Sequence, residues 1–464
     1  MISKSIIYIS LLICLIGCSS RPVIKKVKKT NEFSVNLDQK NKCMSRMQYF
    51  KALTSQASNK KYFKLINQTT IEDLCTKQYR MTKAFMDKHL GKIGIIIERN
   101  QDHLDKSKAI IDGIKASLAD INHKEEGSFV VKMVPLKKNK VNNILSNMIL
   151  NDKVGLIITW GQDRFIEHIQ RWQKGLDIPG IFISNQVSKH KNTFNIFPSR
   201  KNYAMELVKT LKEKNIKKLA ILTPDYIVKT PLLKTIKNLL KQNEIEIVFD
   251  IQYTKDQFDT YDMACRSIFN IDRIKRKDEL ETIYLEEQLK AHAEGFELNT
   301  KHVFLPAEIS YDAIFIPDDF KTVLHFTKLF KYYQAKEVPL IGTYQWRSQD
   351  LLRPNEEYLE GATFIDFLGD YDKLPIEVNK DKNDATSVGY RTDYKLMGYY
   401  TGLISQIALK NSKQNKSQVT RELSQIKLND TFIQNKKAFT DNEFNWPSFA
   451  IEVKNNQFQI PDSY

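Results

Sequence analysis

Beyond its first eighteen residues the chain has no apolar run approaching the ~20 residues needed to cross a bilayer, which excludes a later membrane span. It contains no Gly-x-Ser-x-Gly elbow, no Walker loop and no Gly-x-Gly-x-x-Gly, so hydrolase, nucleotide and dinucleotide readings lose their sequence support. Its eight histidines, among them His168, His190, His292 and His302, form no His-x-x-x-His or Cys-x-x-Cys spacing, so neither a metal site nor a cofactor is expected. Acidic residues are in deficit, 55 against 71 Lys and Arg, for a formal net charge of +16 over 464 residues. In a cytosolic protein that balance would point to nucleic acid. Export removes that partner, and export is what the N-terminus signals.

Lys4 supplies a positive n-region, Ile6 to Ile16 a short apolar h-region, and Leu15-Ile16-Gly17-Cys18 reads as a lipobox with small Gly17 before the cysteine. Residues 1–17 are then a lipoprotein signal peptide and the mature chain begins at a lipidated Cys18. The other reading, an uncleaved membrane helix, is disfavoured by the shortness of the run. Burial of acyl chains contributes ~0.8 kcal/mol per CH₂, and two or more chains give a firm membrane anchor. Residues 18–35 form a lysine-rich tether in which Arg21, Lys25, Lys26, Lys28 and Lys29 can each gain about 1 kcal/mol beside anionic head groups.

Of the five cysteines, Cys14 lies in the signal and Cys18 carries lipid, leaving Cys43, Cys75 and Cys265 in an oxidising compartment. Cys43 and Cys75 sit on helix-like segments of one short region, 36–90, where a disulfide between them would contribute about 3–4 kcal/mol. Two buried thiols are the alternative. Cys265 shares a helical apolar stripe with Tyr261, Ala264, Ile268 and Phe269 and reads as a small core hydrophobe.

From Gly91 short β-rich runs alternate with amphipathic helices, the pattern of parallel α/β structure. Strands are expected at Ile93–Ile97, Phe129–Val134, Gly155–Trp160 and Ile181–Ser184, then at Leu219–Thr223, Ile245–Ile251, Tyr311–Pro317, Leu340–Tyr344 and Ala362–Phe367. The architecture is thus stated twice: two Rossmann-like lobes following a short α-helical N-terminal region. Lobe 1 is expected to comprise 91–200 and about 385–464, and lobe 2 to comprise 201–384. The mixed-charge stretch between Asp272 and His302 reads as a solvated helix. Ser448 to Ile460 reads as a strand pair turning at Asn455-Asn456.

In open α/β sheets ligands sit beyond the carboxyl ends of the strands. That rule selects Glu98, Asn100, Trp160, Gly161, Gln162, Asn185 and Gln186 in lobe 1, and Asp225, Tyr226, Asp318, Tyr344, Gln345 and Trp346 in lobe 2. The aromatics offer stacking faces and the amides orientation, with lobe closure burying a small polar ligand. No catalytic constellation accompanies them, so a binding protein is expected and not an enzyme.

Gly91-Lys92-Ile93-Gly94-Ile95-Ile96 with Asp112-Gly113-Ile114 resembles the opening strand and helix of the type I periplasmic binding protein family. Lys217 to Leu222 with Asp225-Tyr226, Tyr311 to Ile316, and Leu340-Ile341-Gly342-Thr343 resemble its second-lobe strands, and Thr440-Asp441-Asn442-Glu443 a late turn. With the lipobox and the helical N-terminal region, the chain is similar to the penicillin-binding protein activator lipoproteins. Ser19 after the lipidated cysteine agrees with the outer-membrane sorting rule. The loop Glu98-Arg99-Asn100-Gln101 departs from the Pro-Leu-Ser-Gly type sequence of amino-acid receptors, and the helical region is much shorter than the repeat domain of the activators. The resemblance implies an outer-membrane lipoprotein facing the periplasm that regulates a peptidoglycan synthase. The alternative is a solute-binding receptor of an ABC importer or sensor.

Overall fold

The structure is a computed structural model that describes residues 43–48, 51–52, 71, 92–100, 103–121, 129–134, 138–184, 190–295, 303, 305–335, 338–352, 357–369, 374–375, 388–412, 415–429, 432–433 and 436–461. Cys18, Cys75, Asn185 and Gln186 lie outside the described residues.

Apolar runs with no polar alternation become strands covered on both faces. β1 (Lys92–Glu98) and β3 (Val154–Trp160) are buried almost throughout and lie side by side in parallel. With β2 (Phe129–Val134), β4 (Gly180–Ile183) and β5 (Thr193–Asn195) they form a parallel sheet, covered by α1 (Leu104–Ile121), α2 (Lys138–Leu150) and α3 (Asp163–Gly175). α4 (Arg200–Glu213) is capped by the Ser199 hydroxyl and carries the chain into a second sheet.

That sheet holds β6 (Lys218–Pro224), β7 (Glu246–Tyr253), β8 (Ala313–Phe315), β9 (Leu340–Thr343) and β10 (Thr363–Asp366). Its helices are α5 (Pro231–Gln242), α6 (Phe258–Ile268) and α8 (Phe320–Tyr332), with α7 (Lys277–Glu294) between the last two. Two of them begin where the sequence offers a start: Thr230 then Pro231 for α5, and Asp319, whose carboxylate accepts from Lys321 N and Thr322 N, for α8. β7 is the sheet's edge, and its burial is accordingly only partial.

The chain then returns to the first sheet through α9 (Val388–Asn411) and α10 (Lys416–Gln425), a short β11–β12 pair (Lys427–Leu428, Lys436–Lys437), β13 (Phe439–Thr440) and β14 (Glu443–Phe444). α9 lies directly on α1 because glycines line their contact: a Cβ on Gly113 would fall 1.9 Å from Lys395 O, and one on Gly398 2.2 Å from Ile110 O. The last hairpin, β15 (Phe449–Lys454) and β16 (Gln457–Gln459), turns at Asn455 and Asn456, both with positive φ (53° and 57°), as a two-residue primed turn requires.

The final order is β13-β14-β5-β4-β3-β1-β2 in one sheet and β16-β15-β10-β9-β8-β6-β7 in the other. The assignment of everything after residue 385 to lobe 1 is therefore corrected. β15 pairs antiparallel with β10, so the chain ends in the second sheet. Three passages join the sheets: β5 to α4, β10 to α9, and β14 to β15. Trp446 ties them together. Its Nε1 donates to Ile196 O on the first passage (2.5 Å), and its ring meets Phe367 on the second at 5.2 Å.

The N-terminal helical residues 43–48 pack on the outer face of the first sheet's helices. Cys43 and Met47 are buried with Leu145, Ile169 and Trp172, and Arg46 reaches Leu176 O at 3.5 Å and Asp177 at 3.8 Å. Cys43 is disulfide-bonded. Peptide mapping without reductant is expected to recover Cys43 joined to Cys75, and reduction to lower stability by about 2–4 kcal/mol. A free Cys75 thiol in the folded protein would refute the pairing. Cys265 is a free, fully buried thiol among Tyr261, Ala264, Ile268 and Phe269, as its stripe predicted, and burial pushes its pKa up. The charged insertion forms α7, an 18-residue helix with no buried residue. It is rooted by Arg276, whose guanidinium donates to Asn270 O (3.1 Å), Pro306 O (2.9 Å) and both carboxylate oxygens of Glu279 (2.7 and 2.6 Å).

Candidate functional site

Beyond the carboxyl ends of β6, β7 and β8 the second lobe gathers a polar cluster around Asp318. This carboxylate is fully buried and fully engaged: Oδ1 accepts from Tyr226 OH (2.8 Å), Lys255 Nζ (3.0 Å) and Asp319 N (2.7 Å), and Oδ2 from Tyr253 OH (2.8 Å). Such saturation is what allows a charge to be buried. Lys255 also donates to Asp319 Oδ2 at 2.6 Å, and its ammonium lies 5.5 Å from the Tyr226 ring centroid. Desolvation opposes the charge on Lys255, but the hydrogen bonds to Asp319 and Asp318 prevail and hold its pKa above the usual lysine range. At Asp319 burial is outweighed by the bond from Lys255 and by the backbone N–H groups of Thr322 and Lys321, which hold that carboxyl low. Burial, then Asp318, raises Tyr226. Of the selected residues, Tyr226 and Asp318 are brought together here, with Asp225 exposed in the adjoining turn.

The first-lobe counterpart is different in kind. Glu98 is buried and its Oε2 accepts from Gln162 N at 2.6 Å, so the carboxylate braces the loop after β3. Gly161 lies between them because a Cβ there would fall 2.7 Å from Glu98 Cβ and Phe165 Cδ1. Asn100 O accepts from His103 N (3.3 Å), which starts the turn into α1. Trp160 is largely buried, edge-on to His103 (6.0 Å) and Tyr394 (5.9 Å), with Lys106 over the Tyr394 ring at 5.3 Å. His103, Lys106 and Tyr394 were not among the selected residues.

After β9 the selection is partly corrected. Tyr344 meets Phe367 edge-on at 6.2 Å and Gln345 N bonds to Thr343 Oγ1 (3.4 Å), both half-buried. Trp346 does not face a cleft: it is fully buried, folded back over Gly342, where a Cβ would fall 2.1 Å from its ring. The missing Cβ of Gly342 makes that space. Its neighbour Arg347 does what the sequence did not announce. Its guanidinium binds both oxygens of Asp366 at the end of β10 and reaches across to Asp393 Oδ1 on α9 at 2.7 Å. All three side chains are at most 7 % exposed. α9 packs with the first sheet, so this triad clamps one lobe to the other. Burial raises the pKa of Asp393 and Arg347 opposes that rise.

No family model matches the chain, and no curated protein does. Solved structures do. A structure from Rhodospirillum rubrum ascribed to a branched-chain amino acid ABC transporter covers 80% of this chain and 100% of its own, at TM-score 0.56 and 8% identity. A branched chain amino acid ABC transporter periplasmic ligand-binding protein from Burkholderia xenovorans LB400 covers 80% and 94%, at 0.53 and 12%. An ABC transporter substrate-binding protein from Sphaerobacter thermophilus covers 80% and 95%, also at 0.53 and 12%. At such identities the likeness speaks of architecture. The likeness gives this chain, with its two α/β sheets, the type I periplasmic binding protein fold.

Proposed function

We propose that the chain is a non-enzymatic, two-lobed receptor for a small polar ligand, serving an importer or a sensor in the cell envelope. The observation that carries this is the Tyr226–Asp318–Lys255–Asp319 cluster, a preorganised polar mouth where ligands sit in open α/β sheets. The receptor-like architecture supports it over the synthase-regulator reading that the sequence put first. Thermal denaturation against a metabolite library tests it. A ligand at 100 times its Kd stabilises by about 2.7 kcal/mol, and Tyr226→Ala is expected to abolish that shift at equal concentration. A flat response across the library would refute the reading.

Regulation of a peptidoglycan synthase from the outer membrane is the second reading. It is favoured by the lipobox at Leu15 to Cys18 and by Glu98 being used to brace its own loop. Under both readings Cys18→Ala is expected to release the protein from membranes. Co-purification of a synthase with the wild-type protein supports the second reading; recovery of importer subunits alone supports the first.

A further inference from the structure

The most ligand-like contact in the second-lobe mouth is one the protein makes with itself. Lys255 follows β7 by two residues and places its ammonium between Asp318 Oδ1 (3.0 Å) and Asp319 Oδ2 (2.6 Å), 5.5 Å from the Tyr226 ring centroid. Two carboxylates and an aromatic face around one ammonium are the components of a seat for a primary amine. The seat is rigid. Tyr253 and Tyr226 hold Asp318, and the other oxygen of Asp319 caps α8.

We infer that Lys255 is a tethered ammonium filling this seat, so that the mouth takes an uncharged, polyhydroxylated ligand and rejects amines. The inference rests on the reading of the mouth as a ligand site. A free amine has to displace a covalently tethered one, whose effective concentration no soluble competitor matches cheaply. An anion meets one lysine against two carboxylates, a site still negative. What remains open at the seat is the Lys255 side chain, 31% exposed and with a third N–H to donate, and the ring of Tyr226, a residue 51% exposed; Phe258, three positions after Lys255, is 62% exposed. Phe258 opens α6, held edge-on by His325 at 4.8 Å and Tyr261 at 5.8 Å. A ring with an apolar C–H face and a hydroxyl edge matches an exposed aromatic face beside an ammonium donor.

Chemical rescue of Lys255→Ala in the full chain tests the seat. The variant is expected to melt below wild type, and methylammonium chloride at tens of millimolar to raise its midpoint by at least about 2 °C. Sodium chloride and tetramethylammonium chloride at equal ionic strength should leave it unchanged, and wild type should ignore all three. If the variant does not fold, refolding yield with and without methylammonium is the readout. In parallel, wild type is expected to respond to neutral monosaccharides and not to primary amines. An unrescued variant, or a wild type that responds to amines, overturns the inference; the amine response would leave the receptor reading standing. Rescue without response to any library ligand keeps the tethered ammonium and overturns the receptor reading together with the ligand class.

Discussion

Arg347→Met is expected to lower stability by about 3–5 kcal/mol, the cost of leaving buried charge without its partner. Two carboxylates, Asp366 and Asp393, share this one guanidinium, and neither has solvent to fall back on. The pH dependence identifies the cause. Without the arginine the desolvated Asp393 carboxyl, already raised by burial, has nothing to oppose that rise above the unfolded value near 3.9, so the folded form binds the extra proton and stability falls as pH rises through its range. The deficit relative to wild type should therefore be largest near neutrality and shrink as pH approaches 4. Urea unfolding at several pH values reads this directly. A deficit that is constant with pH would mean that lost packing, and not unpaired charge, is responsible. Asp393→Asn in the Arg347→Met background should recover part of the loss, because one stranded charge is gone.

Trp446→Ala should cost a similar amount, about 3–5 kcal/mol for a buried tryptophan. Its ring lies against Tyr400 (5.6 Å), Phe444 (4.8 Å) and Phe367 (5.2 Å), and its N–H is bonded to Ile196 O. Trp446→Phe separates the two contributions: it keeps most of the packing and loses the hydrogen bond, with about 1–3 kcal/mol expected from the orphaned carbonyl. Because the indole touches all three passages between the sheets, the alanine variant should also loosen the lobes relative to each other. Hydrogen exchange around residues 196–199, 366–369 and 444–449 is expected to rise by at least tenfold. Faster exchange confined to 444–449 would show that the three passages are not coupled through this ring.

The strands that carry the fold were legible because parallel strands covered on both faces need no polar alternation, and Ile93 to Ile97 or Leu156 to Ile158 admit few other readings. β5, β13 and β14 were not, since two or three residues contain no period to read. The second-lobe mouth was half legible. Tyr226 and Asp318 followed from the strand-end rule, but Lys255 did not, because β7 runs two residues past Ile251 before its loop begins. Trp346 was assigned to the cleft by the same rule, which knows where a strand stops and not which way the next ring turns; Gly342 decided that. The Arg347 clamp joins residues 19 and 46 positions apart, and no spacing in the chain marks charges that meet only through folding.

The helical residues 43–48 are packed into the far side of lobe 1, away from the strand ends. Among the described residues, then, the N-terminal region holds to lobe 1, and tension carried through residues 43–48 reaches that lobe first. Lobe 2 then moves against it, carrying α7, which is rooted at Arg276 and buries none of its own residues.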